Sequence, residues 1–286
     1  MNPRYLVLAS EEDPVAARVR ARWGTPEATG WVVDGTPIRR LGTEGLLLRR
    51  PVLHIHDERV DLRLPHELRE GRVTLVFPSI HRSEQNVECL TVHPLGNTGP
   101  AAEVGGRPRT LAPTDPRRMV AVLRRLDEAA RAVGLSATFE ATHHGPELAL
   151  PAFFVEIGYG LAAEPSEGAV GILAEVIPEI VADPADRVAV GVGGGHYAPH
   201  FTALALRRRW AFGHILSRHA LEKIDAATAG AAWDGTDGAE GVLYARAEDA
   251  KLPALAGVGP RLRDGDAPFR ATGTGPTGAS RRASGT

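Results

Sequence analysis

Residues 139–158 read FEATHHGPELALPAFFVEIG, and this stretch decides the fold. It connects two predicted strands, at 137–142 and 153–157, where β-branched and aromatic residues are concentrated. Two adjacent histidines and a Gly-Pro turn stand between them. Because consecutive side chains on a strand face opposite ways, His143 and His144 can share a site only beyond the end of the first strand.

Strands and helices alternate on both sides of this stretch. Asp13-Pro14 and Asp115-Pro116 each place an Asp N-cap before a Pro at the first helical position, and Ser166 is a third cap. The predicted strands lie at 5–9, 45–57 (strand, turn, strand about Pro51), 73–77, 87–92, 137–142, 153–157 and 187–192, and the predicted helices lie at 13–23, 114–133, 166–177 and 214–224. This order predicts an α/β fold in which a mixed sheet carries helices on both faces.

Length and composition predict one folded domain and a tail. A chain of 286 residues, 43% hydrophobic and 24% charged, can bury a large core. We expect a single α/β domain over residues 1–256. Residues 257–286 are rich in Gly, Ala, Ser and Thr and end in GTGPTGASRRASGT. They cannot bury enough apolar surface to offset the entropy of ordering, so we expect a flexible tail there.

The compartment is predicted from cysteine usage and hydropathy. No apolar run approaches the roughly 18 residues that a membrane helix needs. Residues 1–10 lack the basic-then-apolar layout of a signal peptide, and Glu11, Glu12 and Asp13 follow at once. Cys89 is the only cysteine, which excludes disulfides within the chain and argues against thiolate zinc sites. We therefore expect a cytoplasmic protein that does not bind membranes.

Basic residues are almost all arginine, with lysine only at Lys223 and Lys251, and the net charge is −2. Several arginines stand in pairs or a triplet, at 39–40, 49–50, 117–118, 124–125 and 207–209. Such pairs can grip phosphates as bidentate forks, but they are also typical of a solvated surface. Composition leaves both interpretations open.

Histidines cluster where predicted strands end. His81 lies in FPSIHRSE, His93 in LTVHPLGN, and His196 in GVGGGHYAPH, in addition to the pair in the opening stretch. Imidazole is the commonest zinc ligand, and carboxylates such as Glu140 and Glu156 complete zinc sites that lack cysteine. The clusters therefore predict a metal or catalytic site at one edge of the sheet.

Familiar motifs are incomplete or missing. Residues 191–196, GVGGGH, approach a dinucleotide fingerprint, but His196 stands where the last glycine is required. Such a loop can still present backbone N–H groups to a phosphate or a carboxylate. The sequence has no HExxH helix, no GxSxG elbow and no Walker A motif.

Taken together, these segments resemble the archaeal and plant type of D-aminoacyl-tRNA deacylase. The opening YLVLASEEDPVA also resembles the first strand and helix of that family, and the match runs in order from about residue 4 to residue 225. Tyr159 and His200 depart from it, since the family usually has a small hydroxyl residue and an arginine there. The resemblance implies a fold related to peptidyl-tRNA hydrolases and phosphorylases, zinc dependence, tRNA binding, and hydrolysis of D-aminoacyl-tRNA to free D-amino acid and tRNA.

We assign candidate roles on this basis. The candidate zinc ligands are His81, His93, His143 and Glu140, the candidate catalytic residues are His196, Glu156 and His144, and the candidate substrate-binding residues are Gly193, Gly194, Gly195, Tyr197 and Arg82. Zinc activates a water and polarises the ester carbonyl, with Glu156 or Glu140 as general base and the glycine amides as an oxyanion hole or a nucleotide contact.

Three other functions remain open at this point. They are another zinc hydrolase of the same fold, such as a peptidyl-tRNA hydrolase-like enzyme, a nucleoside phosphorylase-like enzyme that needs inorganic phosphate, and a tRNA-binding module without catalysis. We expect a monomer whose partner is D-aminoacyl-tRNA.

Overall fold

The computed structural model describes residues 4–83, 87–160, 163–183 and 187–263. The strands are β1 Tyr5–Ser10, β2 Ala28–Val33, β3 Thr36–Leu41, β4 Gly45–Arg50, β5 Thr74–Ser83, β6 Cys89–Pro94, β7 Gly96–Asn97, β8 Thr110–Leu111, β9 Ala137–Phe139, β10 Ala152–Gly160, β11 Arg187–Val192, β12 Trp210–Leu216 and β13 Gly241–Tyr244. The helices are α1 Pro14–Ala21, α2 His66–Glu70, α3 Pro116–Ala132, α4 Glu167–Val176, α5 Pro199–Arg208, α6 Arg218–Leu221 and α7 Ala226–Asp234.

Most of the strands form one mixed sheet in the order β2-β3-β4-β1-β5-β10-β6-β9. Its centre, β4-β1-β5-β10, is parallel, whereas β10 pairs with β6 in the antiparallel direction and β6 pairs with β9 in parallel. A second sheet, β12-β11-β13, is entirely parallel. The predicted α/β class with a mixed sheet is confirmed.

The predicted helix starts are confirmed at their caps. Asp13 and Asp115 accept hydrogen bonds from the backbone amides of Ala16 and Arg118, and Ser166 caps α4 in the same way. These contacts satisfy amides that a helix start leaves without partners. No helix in the described ranges combines the length and the apolar character needed to cross a membrane.

The faces of the large sheet are covered differently. One face packs against α1, α3 and α4, where Val15, Leu123 and Leu173 join the core. The other face is covered by α2, by short 3₁₀ turns and by the segment around Leu148. The candidate functional site lies on this second face, against which fewer helices of the described residues pack.

Two predicted elements are wrong. The helix expected at 214–224 begins as strand β12, and only Arg218–Leu221 is helical. His214 is buried in that strand because β12 pairs with β11, a contact that local spacing does not reveal. The second strand expected after Pro51 is a 3₁₀ turn, His54–His56, which an ion pair between Arg50 and Asp57 ties back to β4.

The folded region extends into the segment expected to be a tail. Val258 is buried, and the amide of Leu262 donates to the carbonyl of Val242 at 2.9 Å. Residues 257–263 therefore pack on the second sheet, because they supply it with apolar side chains and backbone hydrogen bonds. The rest of the expected tail, 264–286, lies outside the described residues.

Candidate metal centre

Three strands of the large sheet point polar side chains at one spot. Leu90 and Val92 of β6 pack in the core beneath α3, so His93 faces the opposite side of the sheet. Glu156 of β10 and His81 of β5 lie on the same side as His93. Fully buried carboxylates and imidazoles are rare in protein interiors, so their convergence marks a functional centre.

One group of ligand atoms surrounds Oε2 of Glu140. His196 Nε2 lies 3.1 Å from it, His81 Nδ1 3.5 Å and His143 Nε2 3.6 Å. All four atoms lie within 4.8 Å of one another. Two ligands that are each about 2.05 Å from a tetrahedral zinc lie about 3.3 Å apart. The observed spacing is therefore that of ligands around one ion.

A short backbone ladder brings His196, in the loop after β11, to Glu140, which follows β9. Glu140 and Tyr197 form an antiparallel bridge, the amide of Ala141 donates to the carbonyl of His196 at 2.8 Å, and the amide of Ala198 donates to the carbonyl of Phe139 at 2.9 Å. The loop after β11 is thereby fastened to the end of β9. This contact joins residues more than fifty positions apart in the chain.

A second group lies deeper in the same cluster. Oε2 of Glu156 is 3.4 Å from His93 Nε2 and 3.6 Å from His81 Nδ1. His93 also shares a potential ligand set with His143 and His144, whose nitrogen atoms lie within 4.8 Å of one another. Five histidines and two carboxylates predicted from the sequence are thus brought into one cluster.

The backbone fixes His143 and His144 beyond the end of β9, as the alternation rule requires. The amide of Gly96 donates to the carbonyl of His144 at 2.7 Å, and His144 adopts a left-handed conformation with φ of 37°. His143 Nδ1 lies 2.8 Å from the Ala141 carbonyl, and His144 Nδ1 lies 2.7 Å from the Gly145 carbonyl. These contacts set the tautomer that leaves each Nε2 free to bind a ligand.

Charges in the cluster balance one another. Burial disfavours the Glu156 carboxylate, but His93 and His81 outweigh it and hold the pKa of Glu156 well below its usual range. Burial likewise opposes protonation of His93, yet Glu156 raises the pKa of His93. Burial and the neighbouring His93 lower the pKa of His144 to about 4. Burial also opposes ionisation of Glu140, but His196 and other histidines lower the pKa of Glu140. Both carboxylates and His144 are therefore in their ligand-competent forms near neutrality.

The donor set fits a metal ion. His93 Nε2, both carboxylate oxygens of Glu140, and Oε2 of Glu156 are buried and have no hydrogen-bond partner among the described residues. The ring of His196 approaches Glu140 closely but is not oriented to donate to it. Buried charged oxygens without donors are costly, and a cation bound between them removes that cost. Nitrogen and oxygen ligands without cysteine suit zinc.

The predicted substrate-binding residues do not all lie at the cluster. The Tyr197 ring packs 5.5 Å from the His196 ring and borders the cluster. Arg82 follows His81 on the strand, so it faces the opposite side, where its guanidinium lies 5.3 Å from the Tyr159 ring centroid. The amide of Gly193 donates to the carbonyl of Leu216. The amides of Gly194 and Gly195 have no backbone acceptor among the described residues.

Sequence reasoning missed a buried network beside the cluster. Ser79 donates to Oδ2 of Asp13 at 2.9 Å, and His54 Nε2 lies 3.1 Å from the Ser79 hydroxyl. Burial lowers the pKa of His54 to about 4, so the ring is neutral. It packs edge-on against Phe154, which stacks on His93. The segment LHIHD held the only signal, which we interpreted as a strand.

The fold and the site define an α/β protein with a buried histidine–carboxylate centre suited to a metal ion. Among known proteins, the sequence profile described as D-aminoacyl-tRNA deacylase matches residues 70–251. This segment is more than half of the chain. The chain belongs to the D-aminoacyl-tRNA deacylase family.

Individual relatives agree with this assignment. A D-aminoacyl-tRNA deacylase of Methanoregula boonei is 48% identical over 147 residues, which cover 50% of this chain and 32% of that protein. The deacylase of Pyrococcus horikoshii is 36% identical over 198 residues, which cover 67% of this chain and 71% of that protein. The crystal structure of a conserved protein of unknown function aligns with a TM-score of 0.74 at 28% identity, covering 90% of both chains. The chain spans about a third of the length of the first two curated relatives, at 32% and 35%.

Proposed function

We propose that this protein hydrolyses the ester of D-aminoacyl-tRNA, releasing free D-amino acid and tRNA. Family membership over residues 70–251 supports the reaction class. The observation that carries the proposal is the convergence of three histidine nitrogens on the Glu140 carboxylate, next to an open cavity. Ester hydrolysis needs an activated water and a stabilised oxyanion, and a zinc ligand set beside a cavity is suited to both.

We further propose that zinc is the cofactor. The ligand set that fits best is His81, Glu140, His143 and His196, which moves His196 from a catalytic role to a ligand role. When bound, zinc supplies a nucleophilic water near neutral pH and polarises the ester carbonyl. Neutral imidazoles and ionised carboxylates are the forms that bind it.

The chain's own residues move the proton and hold the developing charge. Glu156 is kept ionised by its histidine neighbours, and its Oε2 has no hydrogen-bond donor among the described residues, so it accepts the proton of the attacking water. The amides of Gly194 and Gly195 are available to the oxyanion, whereas Gly193 is engaged with Leu216. His144 lines the cavity and orients the ester there.

Paired substrates test this proposal. D-Tyr-tRNA should be hydrolysed at least about tenfold faster than L-Tyr-tRNA, a difference of roughly 1.4 kcal/mol in the transition state. A chelator should abolish hydrolysis, and added zinc should restore it. Equal rates on the two substrates would contradict the proposed specificity, and full activity after exhaustive metal removal would contradict the proposed cofactor.

The same assay separates the other candidate functions. Preference for N-acyl-aminoacyl-tRNA would indicate a peptidyl-tRNA hydrolase-like enzyme, and dependence on inorganic phosphate would indicate a phosphorylase-like one. Salt-dependent binding of tRNA without turnover would indicate a binding module. We also propose that the protein acts in the cytoplasm as a monomer; its single cysteine, Cys89, is buried and reduced. Cell fractionation and sedimentation test these two points.

A further inference from the structure

A cavity of about 450 Å³ opens beside the cluster. Its buried end is formed by Thr142, His143 and His144, and its surface end by His219 and Lys223. Small-molecule sites generally have volumes of about 300–1,000 Å³. The cavity therefore has room for one nucleoside-sized ligand that runs from the cluster to the surface.

The walls between these ends are largely apolar. Pro100, Ala101 and Ala220 line the cavity, together with Val104, whose side chain is 46% exposed despite its apolar character. The backbone of Gly96 and Gly99 completes the wall and adds no side chain. Apolar walls suit the faces of a base and a ribose better than they suit a charged group.

Lys223 marks the outer end. Its stem packs over Gly99, since a Cβ at Gly99 would lie 3.7 Å from Lys223 Cβ and Cδ. Its backbone is held as well, because Arg109 donates to the Lys223 carbonyl at 3.1 Å and pairs with Asp225 at 3.0 Å. The ammonium group itself pairs with no carboxylate in the described part of the chain. A positioned, unpaired ammonium is a typical phosphate ligand.

The arginines contrast with this lysine. In every arginine pair or triplet at least one member is already engaged: Arg39 with the Pro26 carbonyl, Arg40 with Glu27, Arg49 with Glu11, Arg50 with Asp57, Arg118 with Asp115, Arg124 with the Ala205 carbonyl, Arg125 with the Glu179 carbonyl, and Arg209 with Asp183. These partners favour a structural role for the arginines. Glu103 is the one carboxylate among the described residues that line the cavity, and it repels a phosphate from its own side.

The geometry points to this cavity as the site of the 3′-terminal nucleotide of the tRNA, with its phosphate at Lys223 and its ester at His143 and His144. The assignment rests on the proposed function, which supplies the ester. In the substrate, the ester is on the ribose, and the phosphate follows on the other side of the same sugar. The cavity presents the complementary features in the same order: ligand cluster, apolar wall, ammonium.

The scarcity of lysine provides a direct test. Adenosine 5′-aldehyde, in which the 5′-hydroxymethyl group is oxidised, carries an aldehyde at the carbon that bears the phosphate in the substrate. An aldehyde condenses with a lysine ε-amine to an imine with loss of water, and borohydride reduces the imine to a stable amine. With only Lys223 and Lys251 in the chain, mass spectrometry of the full-length protein should find the adduct on Lys223. Lys223→Gln should lose it, and Lys251→Gln should retain it.

Kinetics give a second readout. Lys223→Gln should raise KM for D-aminoacyl-tRNA about tenfold, the effect of losing one charge-assisted contact, with kcat within about twofold. The logarithm of the tRNA binding constant falls linearly with the logarithm of the salt concentration, and Lys223→Gln should make that slope shallower by about one. Lys223→Arg should restore KM but not the adduct, and Lys251→Gln should change nothing. A D-aminoacyl-adenosine without a 5′-phosphate should react equally with wild type and Lys223→Gln.

The outcomes distinguish this assignment from the proposed function. Deacylation of D-aminoacyl-tRNA without an adduct on Lys223, or with an adduct on Lys251 or the N-terminal amine, overturns the cavity assignment alone. Equal loss of rate on the phosphate-free ester also overturns it, because Lys223 would then act elsewhere than on a phosphate. Absence of deacylation with every substrate overturns the proposed function itself.

Discussion

His196 Nε2 lies 3.1 Å from Glu140 Oε2, although Glu140 follows a strand of the large sheet and His196 lies in the loop after a strand of the small one. Glu140 is fully buried, and burial opposes its ionisation, but the adjacent His196 and the other histidines lower its pKa. The carboxylate is therefore charged and has no hydrogen-bond donor among the described residues. Such a group is stable only beside positive charge, whether imidazolium or a metal ion.

We predict that Glu140→Gln and His196→Ala each lose bound zinc and lower turnover by about 10²-fold or more. Metal content, measured on purified protein, is the readout that does not depend on activity. The metal-free form of Glu140→Gln should melt no lower than metal-free wild type, since a buried charge has been removed. His66→Ala, at an exposed helix position, is the matched control. Wild-type zinc content in both variants would exclude these residues from the ligand set.

We predict that Gly193→Ala is more destabilising than Gly194→Ala. Both glycines have positive φ, at 100° and 82°, so an alanine costs about 1–2 kcal/mol of backbone strain at either. At Gly193 the new Cβ would also lie 2.4 Å from Asp249 Oδ2, whereas at Gly194 no atom of the described residues beyond the chain neighbours lies within 4 Å. Overpacking adds about 1–3 kcal/mol. Urea unfolding measures the stability of both variants. A second substitution, Asp249→Ala, should recover part of the stability lost in Gly193→Ala but none of that lost in Gly194→Ala. Equal losses would show that the contact is not strained.

We predict a loss of stability in acid that depends on His214. Burial lowers its pKa to about 4, and the neutral ring donates from Nε2 to the Ala112 carbonyl and accepts from Thr142. Because the folded pKa lies below the unfolded value of about 6.5, the unfolded chain binds more protons between these values. The stabilisation of the fold by the neutral His214 ring is complete above pH 6.5 and is lost as the pH falls toward 4. At pH 5 the free energy of unfolding should be about 2 kcal/mol lower for this reason.

The check for His214 is a comparison of slopes. The free energy of unfolding of His214→Gln should fall less between pH 7.5 and pH 5 than that of wild type. His54, His143 and His144 titrate in both proteins and cancel in the comparison. Parallel curves for wild type and variant would contradict the prediction.

We predict that Asp57→Ala costs about 3–5 kcal/mol, because it leaves the Arg50 guanidinium buried beside a lost partner. The pair is bidentate, at 2.5 and 2.9 Å, and the side chains are only 5% and 3% exposed. The control is Arg131→Ala, which breaks an exposed pair with Asp127 and should cost less than about 1 kcal/mol. Denaturant midpoints compare the two. A cost for Asp57→Ala no larger than the control would mean that Asp34 alone compensates Arg50.

The sequence predicted those features that depend only on residues close together in the chain. The Asp-Pro caps before α1 and α3, the gathering of His143 with His144, and the end of α4 near residue 177 all follow from conformational preferences within a few residues. His214 was misplaced because its apolar spacing suits a helix as well as a strand, and a strand partner decided the outcome.

The buried network beside the cluster was out of reach for the same reason. His54 contacts Ser79, which is 25 residues away in the sequence, and Ser79 contacts Asp13, which is 66 residues away. No periodicity in the sequence predicts such long-range contacts, since they depend on which strands become neighbours. The histidine motifs identified the members of the cluster, but the pairing of each member with Glu140 or Glu156 required the sheet order.

The backbone ladder between the His196 loop and the end of β9 affects the order in which the two sheets unfold. An ion held by His81 of the large sheet and by His196, in the loop that follows β11 of the small sheet, would link the two sheets. Loading it should then slow the separation of the small sheet more than the opening of the large one. Hydrogen exchange would register this as protection spreading from Ala141 and Ala198 into β11.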